Sequence, residues 1–407
     1  MDGKTIVLGI TGGIAAYKAA MLASALSKRG ARVQTVMTRH ATQFITPLTL
    51  QSVTREAVFV DQFDERNPSR IAHIALADDA DLVVVAPATA DAIARIAHGM
   101  GDDMLTTVLL ATKAPVVLAP AMNVHMYENP LVQRNLGILR EAGFHIAEPG
   151  IGPLACGYTG RGRLMEPDEL VEFIDMVLTP KRLLNRTVLV TAGPTRERID
   201  PVRYLSNDST GTMGYALAQM AWRMGAKVTL VTGPVAKEPP LGVEIVPVES
   251  AQEMLRAVVD RAPGSDIVIK SAAVADYRPL QEATVKIKKT DQALRLDLVQ
   301  NADILQALRA VRKPSSYVVG FAAETHDVDY YARRKLREKE LDMLVLNDVL
   351  EEGAGFGDTT NRVTLYFADG TVLPLELASK LAVADDILSH VADRFGAAGR
   401  AAMPHTS

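Results

Sequence analysis

A single cysteine, Cys156, occurs in 407 residues. That excludes an intramolecular disulfide framework and any cysteine-rich zinc site. Neither sign of charge is in large excess: 44 Lys and Arg stand against 48 Asp and Glu, a formal net charge of −4. A nucleic-acid binder working through phosphate contacts carries a basic excess or patch, so nucleic acid is not an expected partner. No run approaches the roughly 18 apolar residues of a membrane span. The opening MDGKTIVLGITGG enters a strand-like run directly, without the charged, apolar and cleavage regions of a leader. The expected compartment is the cytoplasm. No internal repeat at about 20–50-residue spacing is present.

What is present is an ordinary globular mixture, 48% hydrophobic and 23% charged. The length suggests two or three domains. TIVLGIT (5–11), RVQTVMT (32–38), DLVVVAPA (81–88) and PVVLAPAM (115–122) are continuous apolar runs. Such runs suit parallel strands covered on both faces. A helical pattern ending at Gly30 separates the first two, which is βαβ spacing. The pattern restarts at 186–195 and continues through runs at 227–234, 243–248, 266–273, 317–323 and 342–348. RVTLYFADGTVLPLE then reads as a hairpin about Asp-Gly. A last helix is expected over roughly 377–395. LTPKRLLNR (178–186), with its proline and cations, reads as a linker. The expected fold is α/β, with two doubly wound Rossmann-like domains over 1–180 and 181–396. Residues 397–407 read as a disordered tail.

The first strand runs into GITGGIAAYK. Its glycines suit either phosphate binding at a helix start or a plain tight turn, and the spacing is not G-x-G-x-x-G. APATADA and APAMNVHMYENP end the third and fourth runs, at the edge where open α/β sheets bind ligands. Helix capping by Thr89 and Asn123 would account for them equally well. His73 falls in a helical stretch, SRIAHIALADDAD, and spacing alone favours a structural role. Cys156 sits in GPLACGYTGRGRL, where a small buried residue and a reactive thiol on a mobile loop are both open readings.

The set TGGIAAYK, IAHIAL, APATA, PAMNVHMY and ACGYTGRGRL, in this order over about 5–175, resembles the flavin-containing cysteine decarboxylases. The resemblance implies a flavodoxin-like, homo-oligomeric flavoprotein domain that binds FMN and decarboxylates a cysteine moiety. It implies an active-site base at His73, a substrate-carboxylate contact at Asn123 and a proton donor at Cys156. FMN contacts are implied at Gly12, Gly13, Thr38, Thr89 and Met122. Two departures stand out. Asp91 replaces the usual asparagine of the PATAN-type motif, and Tyr127 stands where some relatives carry tryptophan.

In the second half, AGPTRERIDPVRYLSN is followed by TGTMGYALAQMAWRMG, a nucleotide-phosphate site in outline or an ordinary glycine-rich connection. KIKK (286–289) is a solvated lysine run or a phosphate contact. These strings, with AAVADYRP, NADIL, GFAAET, YARRKLREK and FGDTTN, resemble phosphopantothenate–cysteine ligase over about 186–362. The resemblance implies CTP with Mg2+ held mainly through the phosphates, no protein ligand for the metal being assigned. Asn207 would handle the acyl-cytidylate, with Arg203 nearby. Asp276, Lys286, Asn301, Ala302, Asp303, Ile304, Phe321, Lys335 and Lys339 would contact CTP. Thr212 stands where the family loop carries lysine, and Ala302 where it often carries proline.

Together the halves resemble the bifunctional enzymes of bacterial coenzyme A synthesis, with 4'-phosphopantothenate, cysteine and CTP as substrates. A trimer-based dodecamer with dimeric ligase domains is implied. The rival readings are an NAD(P) oxidoreductase, a peptide-cysteine decarboxylase and a flavoprotein regulatory subunit.

Overall fold

The computed structural model describes residues 1–63, 70–153, 157–289, 293–324, 328–348 and 359–401. The chain divides into two compact units, Met1–Thr179 and Pro180–Ser407.

The first unit contains β1 (Thr5–Ile10), α1 (Ala16–Lys28), β2 (Arg32–Met37), α2 (Pro47–Thr54), β3 (Val58–Phe59), α3 (Ala72–Asp79), β4 (Leu82–Ala88) and α4 (Ala90–Ala97). It continues with α5 (Met104–Ala111), β5 (Val116–Pro120), α6 (Val124–Tyr127), α7 (Pro130–Glu141), β6 (His145–Ile146), β7 (Gly150–Pro153), β8 (Thr159–Arg163) and α8 (Pro167–Leu178). Six strands form a parallel sheet in the order β3-β2-β1-β4-β5-β6. Every residue of β4 is buried. Separate apolar clusters lie on the two faces, Ile6, Leu8 and Ile10 on one and Val7, Val83 and Val85 on the other. This is why the strand sequences are continuous rather than alternating. The order is that of the Rossmann fold. The flavodoxin likeness therefore extends to the layered α/β architecture and not to the strand order, because β3 continues the sheet outward beyond β2.

The second unit contains β9 (Thr187–Ala192), β10 (Arg196–Arg198), β11 (Tyr204–Ser206), α9 (Thr212–Arg223), β12 (Lys227–Thr232), β13 (Glu244–Pro247), α10 (Ala251–Arg261), β14 (Ile267–Lys270) and β15 (Tyr277–Pro279). It continues with β16 (Leu298–Gln300), α11 (Ile304–Val311), β17 (Tyr317–Glu324), α12 (Val328–Glu338), β18 (Met343–Asp348), β19 (Thr360–Asn361), β20 (Val363–Phe367), β21 (Val372–Pro374), β22 (Ala378–Ser379) and α13 (Lys380–Ala401). Its main sheet runs β13-β12-β9-β14-β17-β18-β20-β21. The first six strands are parallel, and the hairpin β20–β21 adds antiparallel at the edge. Both faces are again apolar. Doubly wound α/β architecture is thus present in both units.

Two expectations change. The segment read as a linker is packed from Pro180 onward: Leu183 is 1% exposed within the second unit's core. Its N–H donates to Met224 O at 3.0 Å, and Lys181 Nζ donates to Arg223 O at 2.9 Å. Burial of the leucine outweighs the polar composition around it. Residues 397–401, read as part of the tail, belong instead to α13, where alanine favours helix; residues 402–407 lie outside the described residues.

Burial pushes the Lys181 ammonium down from 10.5 to about 8. The unfolded chain therefore binds the extra proton between these values, and this group makes stability rise with pH across that window. Lys181→Met is expected to flatten the rise in urea midpoint measured from pH 8 to 10.5.

Candidate active sites

In the first unit, the carboxyl ends of β1, β2, β4 and β5 open onto one cavity of about 1100 Å3. It lies at the switch point between β1 and β4, where strand order reverses. Gly12, Gly13, Thr38, Thr89, Met122 and Asn123 all line it. Thr11 rivets two of its walls: Oγ1 donates to Pro87 O at 2.7 Å and accepts from Thr89 N at 3.0 Å.

The start of α1 has no side-chain cap. The N–H groups of Gly12, Ile14 and Ala15 find no acceptor among the described residues. Orphan donors at a helix start form an anion site. Gly12 is required by close approach, since a Cβ there would run into His40. Ile96, Met104, Leu105 and Met122 supply apolar wall. An anion cradle beside an apolar slot fits a flat aromatic ring that carries a phosphate.

Thr89 Oγ1 accepts from Ala92 N and caps α4, and Asn123 Oδ1 accepts from His125 N at 2.8 Å and caps α6. The capping role and the cavity position are held by the same side chains. Asn123 thus lines the cavity while its Oδ1 serves the cap. Asp91 lies in the first turn of α4 and pairs with Arg95 at 3.2 Å. Arg95 also reaches Asp102 at 2.8 Å, so the extra carboxylate of the departed motif is matched by a cation.

The strands β7 and β8 form an antiparallel hairpin. It is tied to the Asn123 turn by Met122 N donating to Gly162 O at 2.9 Å. Gly162 has φ +151°, and a Cβ there would meet the Met122 carbonyl. At the hairpin base, Glu166 takes Lys18 Nζ at 2.9 Å and Arg163 Nη2 at 2.6 Å. These contacts hold the Glu166 carboxyl below the usual range, Lys18 contributing most. Cys156 lies outside the described residues. His73 sits in the first turn of α3, is not among the residues lining the cavity, and has a buried Nδ1 without a hydrogen-bond partner.

In the second unit, the turn after β9 and the segment after β14 are laced together. Ala273 N donates to Gly193 O at 3.0 Å, and Ala275 N to Thr195 Oγ1 at 3.0 Å. Asn207 Nδ2 donates to Ala273 O at 2.9 Å. On the other side Asn301 Nδ2 donates to Ala275 O and Asn301 N to Asp276 O, both at 2.8 Å. The 273–276 segment thus bridges Asn207 and the nucleotide candidates. Asp303 Oδ1 caps α11 through Leu305 N and Gln306 N, while Oδ2 pairs with Lys339 at 2.6 Å. Ile304 is buried behind it, Ala302 is exposed, and Phe321 and Lys335 are half-buried.

Arg203 binds the fully buried Asp200 through Nε and Nη2, and its Nη2 also donates to Ile287 O at 3.0 Å. Ile287 N donates to Asp200 Oδ2 at 3.2 Å. Chiefly through Arg203, the Asp200 carboxyl is held far below its usual range. The pair therefore braces the KIKK segment and leaves Lys286 exposed. Thr212, in place of the family lysine, hydrogen-bonds Thr210 through the hydroxyls at 2.8 Å at the start of α9. Among the described residues no group of three or more His, Cys, Asp or Glu is arranged to hold a metal ion. No described helix is long and apolar enough to cross a membrane.

Residues 1–179 match the Flavoprotein family, and residues 183–395 match the C-terminal domain of DNA/pantothenate metabolism flavoproteins. The Coenzyme A biosynthesis bifunctional protein CoaBC of Bacillus subtilis (strain 168) is 49% identical over 396 residues, covering 96% of this chain and 97% of the relative. The chain belongs to the CoaBC family. The CoaBC protein of Escherichia coli (strain K12) is 46% identical over 381 residues, 92% of this chain and 94% of the relative. Among solved structures, the C-terminal domain of a CoaBC protein is 44% identical and covers 53% of this chain and 98% of its own (TM-score 0.46). A variant PPC decarboxylase complexed with pantothenoylaminoethenethiol is 30% identical and covers 42% and 96% (TM-score 0.40). As a CoaBC member the chain is a bifunctional enzyme of coenzyme A biosynthesis, with decarboxylase activity in the flavoprotein half and phosphopantothenate–cysteine ligase activity in the other. The readings as a peptide-cysteine decarboxylase, an NAD(P) oxidoreductase or a regulatory subunit fall away.

Sequence reasoning passed over several charged residues of this CoaBC chain. Lys18, 7% exposed, lay inside a motif read for its glycines. Arg95 was hidden in a helix. Lys270 closes the apolar run IVIK, and its position at a strand's carboxyl end was the signal that could have found it.

Proposed function

We propose that residues 181–396 condense 4'-phosphopantothenate with cysteine at the expense of CTP. Residues 1–180 then decarboxylate the 4'-phosphopantothenoylcysteine to 4'-phosphopantetheine with FMN, in the cytoplasm. The observation that carries this reading is the convergence of Gly12, Gly13, Thr38, Thr89, Met122 and Asn123 on one cavity with an uncapped helix start.

In the ligase half the carboxylate of phosphopantothenate attacks the CTP α-phosphate, giving an acyl-cytidylate and pyrophosphate. Cysteine's amine then displaces CMP. Every partner is anionic, so cations must offset the charge that moves. Lys286, Lys335 and Lys339 supply it, with Mg2+ carried on the CTP phosphates. Asp276, Phe321 and the Asn301–Ile304 segment seat the nucleotide. Asn207 steadies the acyl-cytidylate, and Arg203 holds the lysine segment in place.

In the decarboxylase half, FMN when bound would accept a hydride from the substrate, giving the thioaldehyde electron sink that cysteine itself lacks, and would return it after CO2 has left, so that the reaction is redox-neutral overall. The cradle at Gly12 and Gly13 would hold its phosphate, with Thr38, Thr89 and Met122 as further contacts. Asn123 Nδ2 holds the substrate carboxylate until CO2 leaves. His73 moves the proton near neutral pH, and Cys156 returns one to the enethiolate carbon. His73 does not line the cavity of its own chain, and Ile71 and Ile74 beside it are exposed. We take the site to be completed by a second copy within a trimer-based dodecamer, the ligase domains being dimeric.

The test supplies 4'-phosphopantothenate, cysteine, CTP and Mg2+ to flavin-loaded protein. CO2, CMP and 4'-phosphopantetheine are expected, and no turnover would overturn the reading. His73→Asn and Asn123→Ala variants should each lack decarboxylation and regain it when co-expressed as hybrids. Hybrids that stay inactive would sink the shared site.

A further inference from the structure

Glu166 joins the first turn of α1 to the last residue of β8. Both of its carboxylate oxygens accept from Lys18 Nζ at 2.9 Å, across 148 residues of sequence. Oε1 also pairs with Arg163 Nη2 at 2.6 Å. Lys18 is 7% exposed, and a lysine is almost never fully buried unless it is paired. Its helix is anchored independently, by Ala16, Ala19, Leu22, Ala23 and Leu26 in the apolar cluster. Leu164 and Met165 enter the same cluster just past β8, so Glu166 stands on a fixed base.

The hairpin itself has no such anchor. Across Gly150–Pro153 and Thr159–Arg163 only Gly162 is buried, and a two-stranded hairpin is marginally stable alone. Yet Pro153, Gly162 and Arg163 line the cavity. Two further ties run to the turn that carries Asn123. Met122 N donates to Gly162 O at 2.9 Å, and Tyr158 stands edge-on to His125 with ring centres 5.1 Å apart. Glu166 supplies the tie to α1, whose start forms the anion cradle. Without its carboxylate, Arg163 is released and the Lys18 ammonium stays buried with no counter-charge, which is costly.

We propose that Glu166 is a positioning residue of the decarboxylase, holding the hairpin stem at the cavity through Lys18 and Arg163. The inference rests on the reading of Cys156, between β7 and β8 in sequence, as the proton donor to the enethiolate carbon. Oxidation removes a hydride from the carbon bearing sulfur and a proton from the thiol, and CO2 loss leaves its electron pair in the enethiolate. One proton to carbon and the returned hydride give the saturated thiol. Where the stem is loose, that proton arrives late. The enethiol then departs, and two electrons stay on the flavin. The earlier steps use the cavity walls at Gly12, Thr89 and Asn123 and should continue.

Glu166→Gln, loaded with flavin and given 4'-phosphopantothenoylcysteine without air, tests this. The ratio of enethiol to 4'-phosphopantetheine should rise about tenfold or more, as expected for loss of a charge-assisted bond. One flavin should bleach for each enethiol released, at wild-type flavin content. In the flavin-free protein, trypsin should cut after Arg161 about tenfold faster than in wild type. Should Glu166→Gln fail to fold, Lys18→Met/Glu166→Gln, which leaves no unpaired buried charge, should show the same product ratio and cleavage. A folded variant with the wild-type product ratio overturns the inference, even if cleavage quickens, since the pair would then serve stability alone. Cys156→Ser separates the two readings. If it releases enethiol while the Glu166 variant does not, the proton-donor reading stands and this inference falls. If Cys156→Ser makes 4'-phosphopantetheine as wild type does, both fall.

Discussion

Asn207→Asp is expected to lower the ligase rate at least about a hundredfold, the cost of removing one transition-state donor. Decarboxylation of supplied 4'-phosphopantothenoylcysteine should stay unchanged. The substitution keeps size and shape but replaces Nδ2 with an oxygen. That oxygen would face the Ala273 carbonyl at the position where a donor now sits at 2.9 Å. Two acceptors cannot share that distance, so the side chain swings away and the 273–276 segment loses its tie to Asn207. The added negative charge also opposes an anionic intermediate. Coupled detection of CMP and CO2 separates the halves. A variant that forms CMP at the wild-type rate would remove Asn207 from the reaction.

Gly12→Val should give a protein that purifies colourless, with flavin affinity lowered at least about a hundredfold. The estimate is the loss of more than one charge-assisted N–H bond to a phosphate. A Cβ at Gly12 meets His40, both its Cβ and its backbone. The loop must shift, and the Gly12, Ile14 and Ala15 donors cease to converge. Ligase activity should persist, because each unit carries its own apolar clusters. Absorbance of the purified variant decides it. A yellow Gly12→Val protein with full flavin content would mean that the phosphate binds elsewhere.

The strands were legible because both faces of each sheet are covered. Runs such as LVVVAPA and TVLVTA have no polar alternation to blur them. The Asp369-Gly370 turn appears between β20 and β21, with Gly370 at φ +89°. Thr89 and Asn123 are more instructive. Capping and ligand contact stood as competing explanations, yet both side chains cap helices and line the cavity. In a parallel α/β sheet the helices begin at the carboxyl edge, so a cap and a ligand share the same address.

Charge partnerships were not legible. Arg203 is expected near the acyl-cytidylate, but nothing in the sequence showed that its guanidinium holds Asp200 and the Ile287 carbonyl, 84 residues away. Leu183 looked like part of a linker and is core. Lys270 was absorbed into an apolar run.

The sequence by itself determined the α/β class, the two units, the strand edges and the motifs that cluster there. Those follow from local periodicity and turn chemistry, which neighbouring residues carry. Only the tertiary structure decided which cations are matched: Lys18 to Glu166, Arg95 to Asp91 and Lys339 to Asp303. Coulomb energy depends on distance and burial, and most of these distances are set by chain segments far apart in sequence.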